Sequence, residues 1–187
     1  NALKMGARCL DFEIYSLNNE AIISSSTVDD YTVKETYNSV PFNVAMQTIK
    51  TDIDITRPDQ FNLPLILLLR IKSNNQKIFD DMGNILKNLF YDPVNSKLLS
   101  YSYNYTLIND GNAILYNEQL KVLEKKIIIA VYTDFKSFDK TNLAYLTNIK
   151  VENEDVVNSH SILYRYDKLT SKNSQDPQLI NNAKKKI

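Results

Sequence analysis

Polar and apolar residues alternate most clearly near the start of the chain, in residues 8–15 (RCLDFEIY). Alternation with a period of two predicts a β-strand with a polar and an apolar face. The polar face carries Cys9, Asp11, Glu13 and Tyr15. The Asn-Asn pair that follows predicts a turn, and residues 21–23 predict a second extended segment.

Two later segments are almost wholly apolar. Residues 63–71 (LPLILLLRI) contain a single charged side chain, Arg70, and residues 126–132 read KIIIAVY. Such runs are typical of strands that are buried on both faces of a parallel sheet. Between them, residues 76–89 show the spacing of an amphipathic helix, with Ser73 as its candidate N-cap.

The remaining elements are shorter and more weakly patterned. We expect helices over residues 43–50, 117–123, 140–147 and 177–186, and a strand over residues 161–166. Strands that recur with helices between them indicate α/β units around a parallel sheet. With 187 residues the chain is long enough for one domain over residues 1–187 with a real core.

Charge and residue usage exclude several classes of function. The 22 basic and 22 acidic groups leave no net charge, which argues against nucleic acid as a partner. A single cysteine, Cys9, excludes an intrachain disulfide and Cys-rich zinc sites, and favours a reducing compartment. A single histidine, His160, excludes a mechanism that needs two histidines from this stretch.

The ends of the chain and its composition bear on its setting. There is no apolar run of about 18 residues and no signal-peptide pattern, and both ends look arbitrary, so we expect a fragment. Asn, Ile, Lys and Tyr make up 71 of the 187 residues, which is the bias of an AT-rich coding sequence. For the location of the protein, two alternatives are kept, an intracellular location and a virion.

Three blocks occur in an order that resembles the catalytic X region of phosphoinositide-specific phospholipase C. They are residues 2–23 (ALKMGARCLDFEIYSLNNEAII), 63–90 (LPLILLLRIKSNNQKIFDDMGNILKNLF) and 117–130 (NEQLKVLEKKIIIA). The resemblance is good over residues 1–131 and weak over 132–187. It implies an α/β fold of the TIM-barrel type with its active site at the carboxyl ends of the strands. The predicted strands are too few to close a barrel, so we expect a partial barrel whose first and last strands lie outside this chain.

The resemblance also implies a chemistry. Members of the family hydrolyse phosphoinositides by attack of the inositol 2-hydroxyl on phosphorus, with two histidines and a calcium ion held by carboxylates. The family's Glu-x-Asp pair corresponds to Asp11-x-Glu13 here. These carboxylates either retain a role as calcium ligands or form an ordinary ion pair at the barrel mouth.

Two positions depart from the family in ways that affect catalysis. The family's second histidine corresponds to residues 24–26, three serines centred on Ser25, and serine cannot act as a general acid near neutral pH. Arg70 stands where the family has a calcium-ligating glutamate, and Lys72 lies near a histidine position. We hypothesise that Arg70 fills the calcium position by bridging Asp11 and Glu13, as an arginine does in metal-independent bacterial relatives; the alternative is that it meets some other acid.

Further positions give no catalytic group. The family's phosphate-binding lysines correspond to positions near Ala130 and Tyr132, whereas Lys125 and Lys126 are expected to be solvated flanks of their strand. Cys9 is expected to be packed and unreactive. The alternating tyrosines of the region 98–105 are expected either in the core or in a contact surface: Tyr101, Tyr103 and Tyr105.

These departures lead to three hypotheses of function. The first is a catalytically inactive phospholipase-C-like barrel that needs no cofactor and acts with protein partners in a larger assembly, with a large DNA virus particle as one setting. The second is a phosphoinositide phosphodiesterase with an altered, metal-independent mechanism. The third is a non-catalytic phosphoinositide binder that uses Arg70 and Lys72.

Overall fold

The structure is a computed structural model that describes five stretches of the chain, namely residues 2–25, 38–55, 62–110, 115–133 and 135–151. The strand predicted over 161–166, the helix predicted over 177–186 and His160 lie outside the described residues. All the described residues belong to one compact unit. In this part of the chain no helix has the length and apolar character needed to span a membrane.

A six-stranded mixed sheet forms the centre of the fold. Its strands are β1 (Cys9–Leu17), β2 (Glu20–Ile23), β3 (Val40–Pro41), β4 (Leu65–Ile71), β5 (Ile127–Tyr132) and β6 (Ile149–Val151). The order across the sheet is β3-β2-β1-β4-β5-β6. The strands from β1 through β4 and β5 to β6 pair in parallel, while β2 pairs antiparallel with β1 and β3. Within the described residues the sheet is open, with β3 and β6 at its edges.

In the described stretches, four α-helices accompany the sheet: α1 (Phe42–Ile55), α2 (Gln76–Phe90), α3 (Leu120–Leu123) and α4 (Asn142–Leu146). Helix α1 is longer than its predicted range of 43–50, because Ile53 continues the buried stripe that includes Ile49. The predicted N-cap of α2 is wrong. Asn75, not Ser73, occupies that position, and its side chain accepts a hydrogen bond of 3.1 Å from the backbone N–H of Lys77.

Strands β1 and β2 form a hairpin with a two-residue turn. Leu17 pairs with Glu20, and the intervening Asn18 and Asn19 have φ angles of 53° and 63°. Positive φ at both central residues is the type I′ geometry, whose twist matches the flanking strands. Asparagine is among the few non-glycine residues that adopt it readily, so the predicted turn is confirmed with a physical reason.

The helices pack on one face of the sheet and bury it. In β4, Leu65, Leu67, Leu69 and Ile71 are essentially inaccessible and belong to the core shared with α1, α2 and α4. The alternate residues Ile66, Leu68 and Arg70 are only half-buried, so the prediction that this strand is buried on both faces is wrong. We call the face opposite the helices the open face. Strand β5, by contrast, is fully buried, as predicted.

The tyrosine-rich region is not a strand. Two 3-10 helices, Tyr101–Tyr103 and Tyr105–Asp110, replace the expected alternation. The ring of Tyr101 stacks on that of Tyr145 in α4 with centroids 4.2 Å apart, and both rings are exposed. Tyr101 therefore contacts helix α4, and the tyrosines of this region do not line one face of a sheet.

Helices α2 and α4 approach each other at a glycine. A Cβ added to Gly83 would lie 2.5 Å from the backbone carbon of Asn142 and from the nitrogen of Leu143. The backbone N–H of Asn142 donates a hydrogen bond of 2.8 Å to Asp80, and its side-chain amide donates one to Asn84. These contacts fix the start of α4 against the middle of α2.

We predict that Gly83→Ala destabilises the protein. Alanine favours a helix by about 1 kcal/mol over glycine, but its Cβ would overlap backbone atoms that cannot rotate away, and overpacking costs roughly 1–3 kcal/mol. Chemical denaturation should show a net loss of stability. The control, Lys77→Ala at an exposed position of α2, should change stability by less than about 0.5 kcal/mol. A Gly83→Ala protein as stable as the wild type would contradict the close approach.

Candidate functional site

The register of the parallel pair β1–β4 brings the predicted charged residues together on the open face. Glu13 of β1 lies opposite Arg70 of β4, and Asp11 lies opposite Leu68. Because side chains alternate along a strand, Asp11, Glu13 and Arg70 all project from the same face, near the carboxyl end of β4 and in the first half of β1. The sequence separates Arg70 from the two acids by nearly sixty residues, and the sheet joins them.

Arg70 bridges the two carboxylates with different nitrogens of its guanidinium group. Its Nε lies 2.7 Å from Oδ1 of Asp11, and its Nη1 lies 2.8 Å from Oε1 of Glu13. Both contacts are charge-assisted hydrogen bonds of good length. The side chain of Glu13 is 13% exposed, against 46% for Asp11 and 38% for Arg70, so the pair with Glu13 is better shielded from water. The salt bridge predicted from the sequence is therefore present to both acids.

Two further polar residues lie beside this cluster. The hydroxyl of Tyr15 donates a long hydrogen bond of 3.5 Å to Oε2 of Glu13, and its ring is buried. Lys72 is buried, with 9% of its surface exposed, and lies two positions beyond Arg70 on the same face. Tyr15 was not predicted as a site residue, although its position two residues after Glu13 in an alternating strand was a usable signal.

The arrangement does not fit a calcium ion. Calcium requires six to eight oxygen ligands, whereas one oxygen of each carboxylate here is bound to the guanidinium group of Arg70. A fixed positive charge at this distance repels a divalent cation. Among the described residues, no group of three or more acidic, cysteine or histidine side chains is placed to hold a metal.

The serine-rich segment after β2 borders the Arg70 cluster, because the backbone N–H of Ser24 donates a hydrogen bond of 3.2 Å to the backbone carbonyl of Glu13. Ser25, two residues after the end of β2, is exposed, and the hydroxyl of Ser24 donates a hydrogen bond of 3.1 Å to the backbone carbonyl of Asn38. Within the described residues, no hydrogen bond joins Ser25 to Asp11, Glu13 or Arg70. A serine at this position cannot supply the acid–base chemistry of a histidine.

Strand β5 contributes no cation where the resemblance would place phosphate-binding lysines. Ala130 lies opposite Leu68, Tyr132 lies opposite Arg70, and both are buried. The neighbouring open-face residue Cys9 is exposed, which corrects the prediction that it is packed. Partial burial, and then the negative charge of Asp11, raise the pKa of the Cys9 thiol, so it is held in its less reactive protonated form.

Comparison with known proteins supports the fold. No protein-family model matches the chain, and no curated protein sequence matches it significantly. The chain is similar in structure to a calcium-dependent phosphoinositol-specific phospholipase C from Pseudomonas sp., a Gram-negative bacterium. One structure of that enzyme, an apo form and myoinositol complex, gives a TM-score of 0.55 at 11% identity and covers 86% of this chain. A second crystal form gives 0.50 at 12% identity, again over 86% of this chain.

This chain spans 61% and 62% of the length of those two structures. At such low identity the likeness shows the fold alone. Together with the open six-stranded sheet, it confirms the predicted α/β partial barrel of the phosphoinositide phospholipase C type.

Proposed function

We propose that the chain is a catalytically inactive barrel that acts as a structural or interaction subunit. The observation that carries the proposal is the contact of Arg70 with both Asp11 and Glu13. Asp11 and Glu13 are the side chains that would have to bind a metal for the chemistry of the family, and here Arg70 occupies one oxygen of each and offsets one of their two negative charges. The salt bridge is proposed to replace the calcium ion, so that the protein requires no cofactor.

The other departures support the same proposal independently. A serine stands where a general acid would be required, and Ala130 and Tyr132 stand where cations would hold phosphate. Each such loss in an enzyme costs about two to three powers of ten in rate, and the sequence contains only one histidine. Restoring activity would require several groups from outside this chain at once.

An interaction role is supported by exposed apolar side chains. The stacked rings of Tyr101 and Tyr145 are 43% and 58% exposed, and Leu120 and Val122 of α3 are exposed to a similar extent. Aromatic residues are enriched where proteins contact each other. The AT-biased composition supports a large DNA virus particle as the setting, with protein partners in that assembly.

A second candidate function, non-catalytic binding of a phosphoinositide, is favoured by one observation. Lys72 is buried on the open face two residues from Arg70, so a second cation is present at the barrel mouth. The metal-independent phosphodiesterase is the remaining alternative, and it would require histidines supplied from outside this chain.

The proposal predicts no release of inositol phosphate from phosphatidylinositol vesicles, with calcium or with a chelator, when folded full-length protein is assayed. Calcium-dependent turnover would contradict the proposed role of Arg70. Turnover that ignores calcium would favour the altered phosphodiesterase instead. Co-sedimentation with the same vesicles, without turnover and dependent on Lys72, would favour the phosphoinositide binder.

A gain-of-function substitution tests the role of Arg70 directly. Arg70→Glu would place three carboxylates together, and their repulsion should lower the melting temperature without calcium. Millimolar calcium should then stabilise this variant, since it supplies the charge that Arg70 supplied. Arg70→Gln is the matched control and should gain much less from calcium. Stabilisation of the wild type by calcium to the same extent would contradict the proposal.

A further inference from the structure

A second concave region lies at the other end of the sheet from Arg70. It is a cleft of about 520 Å³ between the end of α1, the segment 94–97 and the turn 124–126 that leads into β5. From Lys126 to Tyr132, which is paired with Arg70, β5 advances about 3.3 Å per residue, or roughly 20 Å in all. The cleft is therefore separate from the Arg70 cluster.

The charges around this cleft are unbalanced. The carboxylate of Asp54 forms ion pairs with the Nζ of Lys50, at 2.7 Å, and with the Nζ of Lys97, at 2.6 Å. These contacts hold the pKa of Asp54 below its usual value. One carboxylate thus serves two ammonium groups. Three lysines line the cleft, Lys97, Lys125 and Lys126, against two acids, Asp54 and Glu124, and Asp54 is also shared with Lys50 from outside the lining.

Within the described part of the chain, the adjacent lysines Lys125 and Lys126 form no ion pair with an acid. The Nζ of Lys126 donates a hydrogen bond of 2.6 Å to the backbone carbonyl of Ser96, which is a neutral acceptor. Among the described residues, no carboxylate lies within ion-pair distance of Lys125 or Lys126. A concave wall that concentrates uncompensated positive charge attracts anions.

An unusual backbone conformation puts both lysines on this wall. In an extended strand, consecutive side chains point to opposite faces, yet Lys125 and Lys126 both line the cleft. Lys125 has a φ of 60°, in the left-handed region that glycine adopts at lower steric cost. It follows the short helix α3, where such a residue reverses the chain direction. The chain thus places a lysine where glycine would be the easier choice.

The turn that carries these lysines is anchored to the sheet. The backbone N–H of Lys125 donates to the carbonyl of Asn62, and the N–H of Leu65, the first residue of β4, donates a bond of 2.9 Å to the carbonyl of Lys126. The backbone that carries both lysines is therefore held in place at the cleft wall.

We propose that this cleft binds a small phosphorylated molecule that carries at least two negative charges. Lys125 and Lys126 contact the phosphate oxygens as point charges, which is how lysine commonly recognises phosphate. The volume lies within the range of small-molecule sites, and Ile53 gives the cleft an apolar wall against which an organic group packs. The site does not depend on the proposed function, because it uses none of the residues around Arg70.

Titration calorimetry with inorganic pyrophosphate on the full protein tests this site. We expect saturable binding of one pyrophosphate per chain. In the double variant Lys125→Gly and Lys126→Gln the affinity for pyrophosphate should fall by about tenfold or more, since charge-assisted hydrogen bonds are lost. Glycine suits the left-handed backbone, and glutamine still donates to the Ser96 carbonyl, so the variant should fold. Arg70→Gln should bind pyrophosphate as the wild type does.

A matched control separates a site from a general charge effect. Lys77→Gln with Lys140→Gln removes the same charge from exposed positions outside the cleft and should leave affinity unchanged. Equal weakening in this control, loss of binding in Arg70→Gln, or no saturable binding up to about 10 mM pyrophosphate would overturn the proposal.

A second test uses the wild-type protein alone. Its lysines are acetylated chemically with and without pyrophosphate, and the modified positions are identified by mass spectrometry. Saturating pyrophosphate should protect Lys125 and Lys126 but not Lys77 and Lys140. Protection of all four lysines alike, or of none, would also overturn the proposal.

Discussion

The parallel register between β1 and β4 determines which charged side chains meet on the open face. It places Glu13 opposite Arg70, with Asp11 one alternate position earlier on the same face. A slip of one residue would turn Glu13 toward the helices, into a layer formed by Leu67, Leu69 and their neighbours. The apolar core under the helices therefore fixes the register, and the register in turn fixes the salt bridges.

The two ends of the sheet use their charged residues differently. At the carboxyl end, the charge of Arg70 is matched by acids of the same chain at hydrogen-bond distance. At the amino end, Lys125 and Lys126 come from a left-handed turn, and the Nζ of Lys126 donates to the backbone carbonyl of Ser96. The proposed inactive cluster and the proposed anion site therefore use different residues at opposite ends of the sheet.

Much of this architecture could be predicted from local patterns. The alternation in β1, the apolar run of β5 and the helical stripe of α2 each reflect burial, which acts on single segments of sequence. The long-range contact of Arg70 with Asp11 and Glu13 was predictable only because a resemblance to a family aligned the two strands. The resemblance supplied the register that a single segment cannot contain.

Other features depend on tertiary contacts that no segment encodes. The half-burial of Ile66 and Leu68 reflects the lack of a covering helix on the open face among the described residues. Cys9 is exposed for the same reason. The left-handed conformation of Lys125 is set by the junction of α3 with the start of β4 and β5, and lysine gives no local sign of it. Propensity and periodicity do not report on such junctions.

We propose that Arg70 takes the place of a metal ion between Asp11 and Glu13. Anomalous diffraction from a crystal grown in millimolar calcium chloride tests it most directly. The account predicts guanidinium density in contact with both carboxylates and no anomalous peak between them. A calcium peak coordinated by Asp11 and Glu13, with Arg70 turned away, would contradict it.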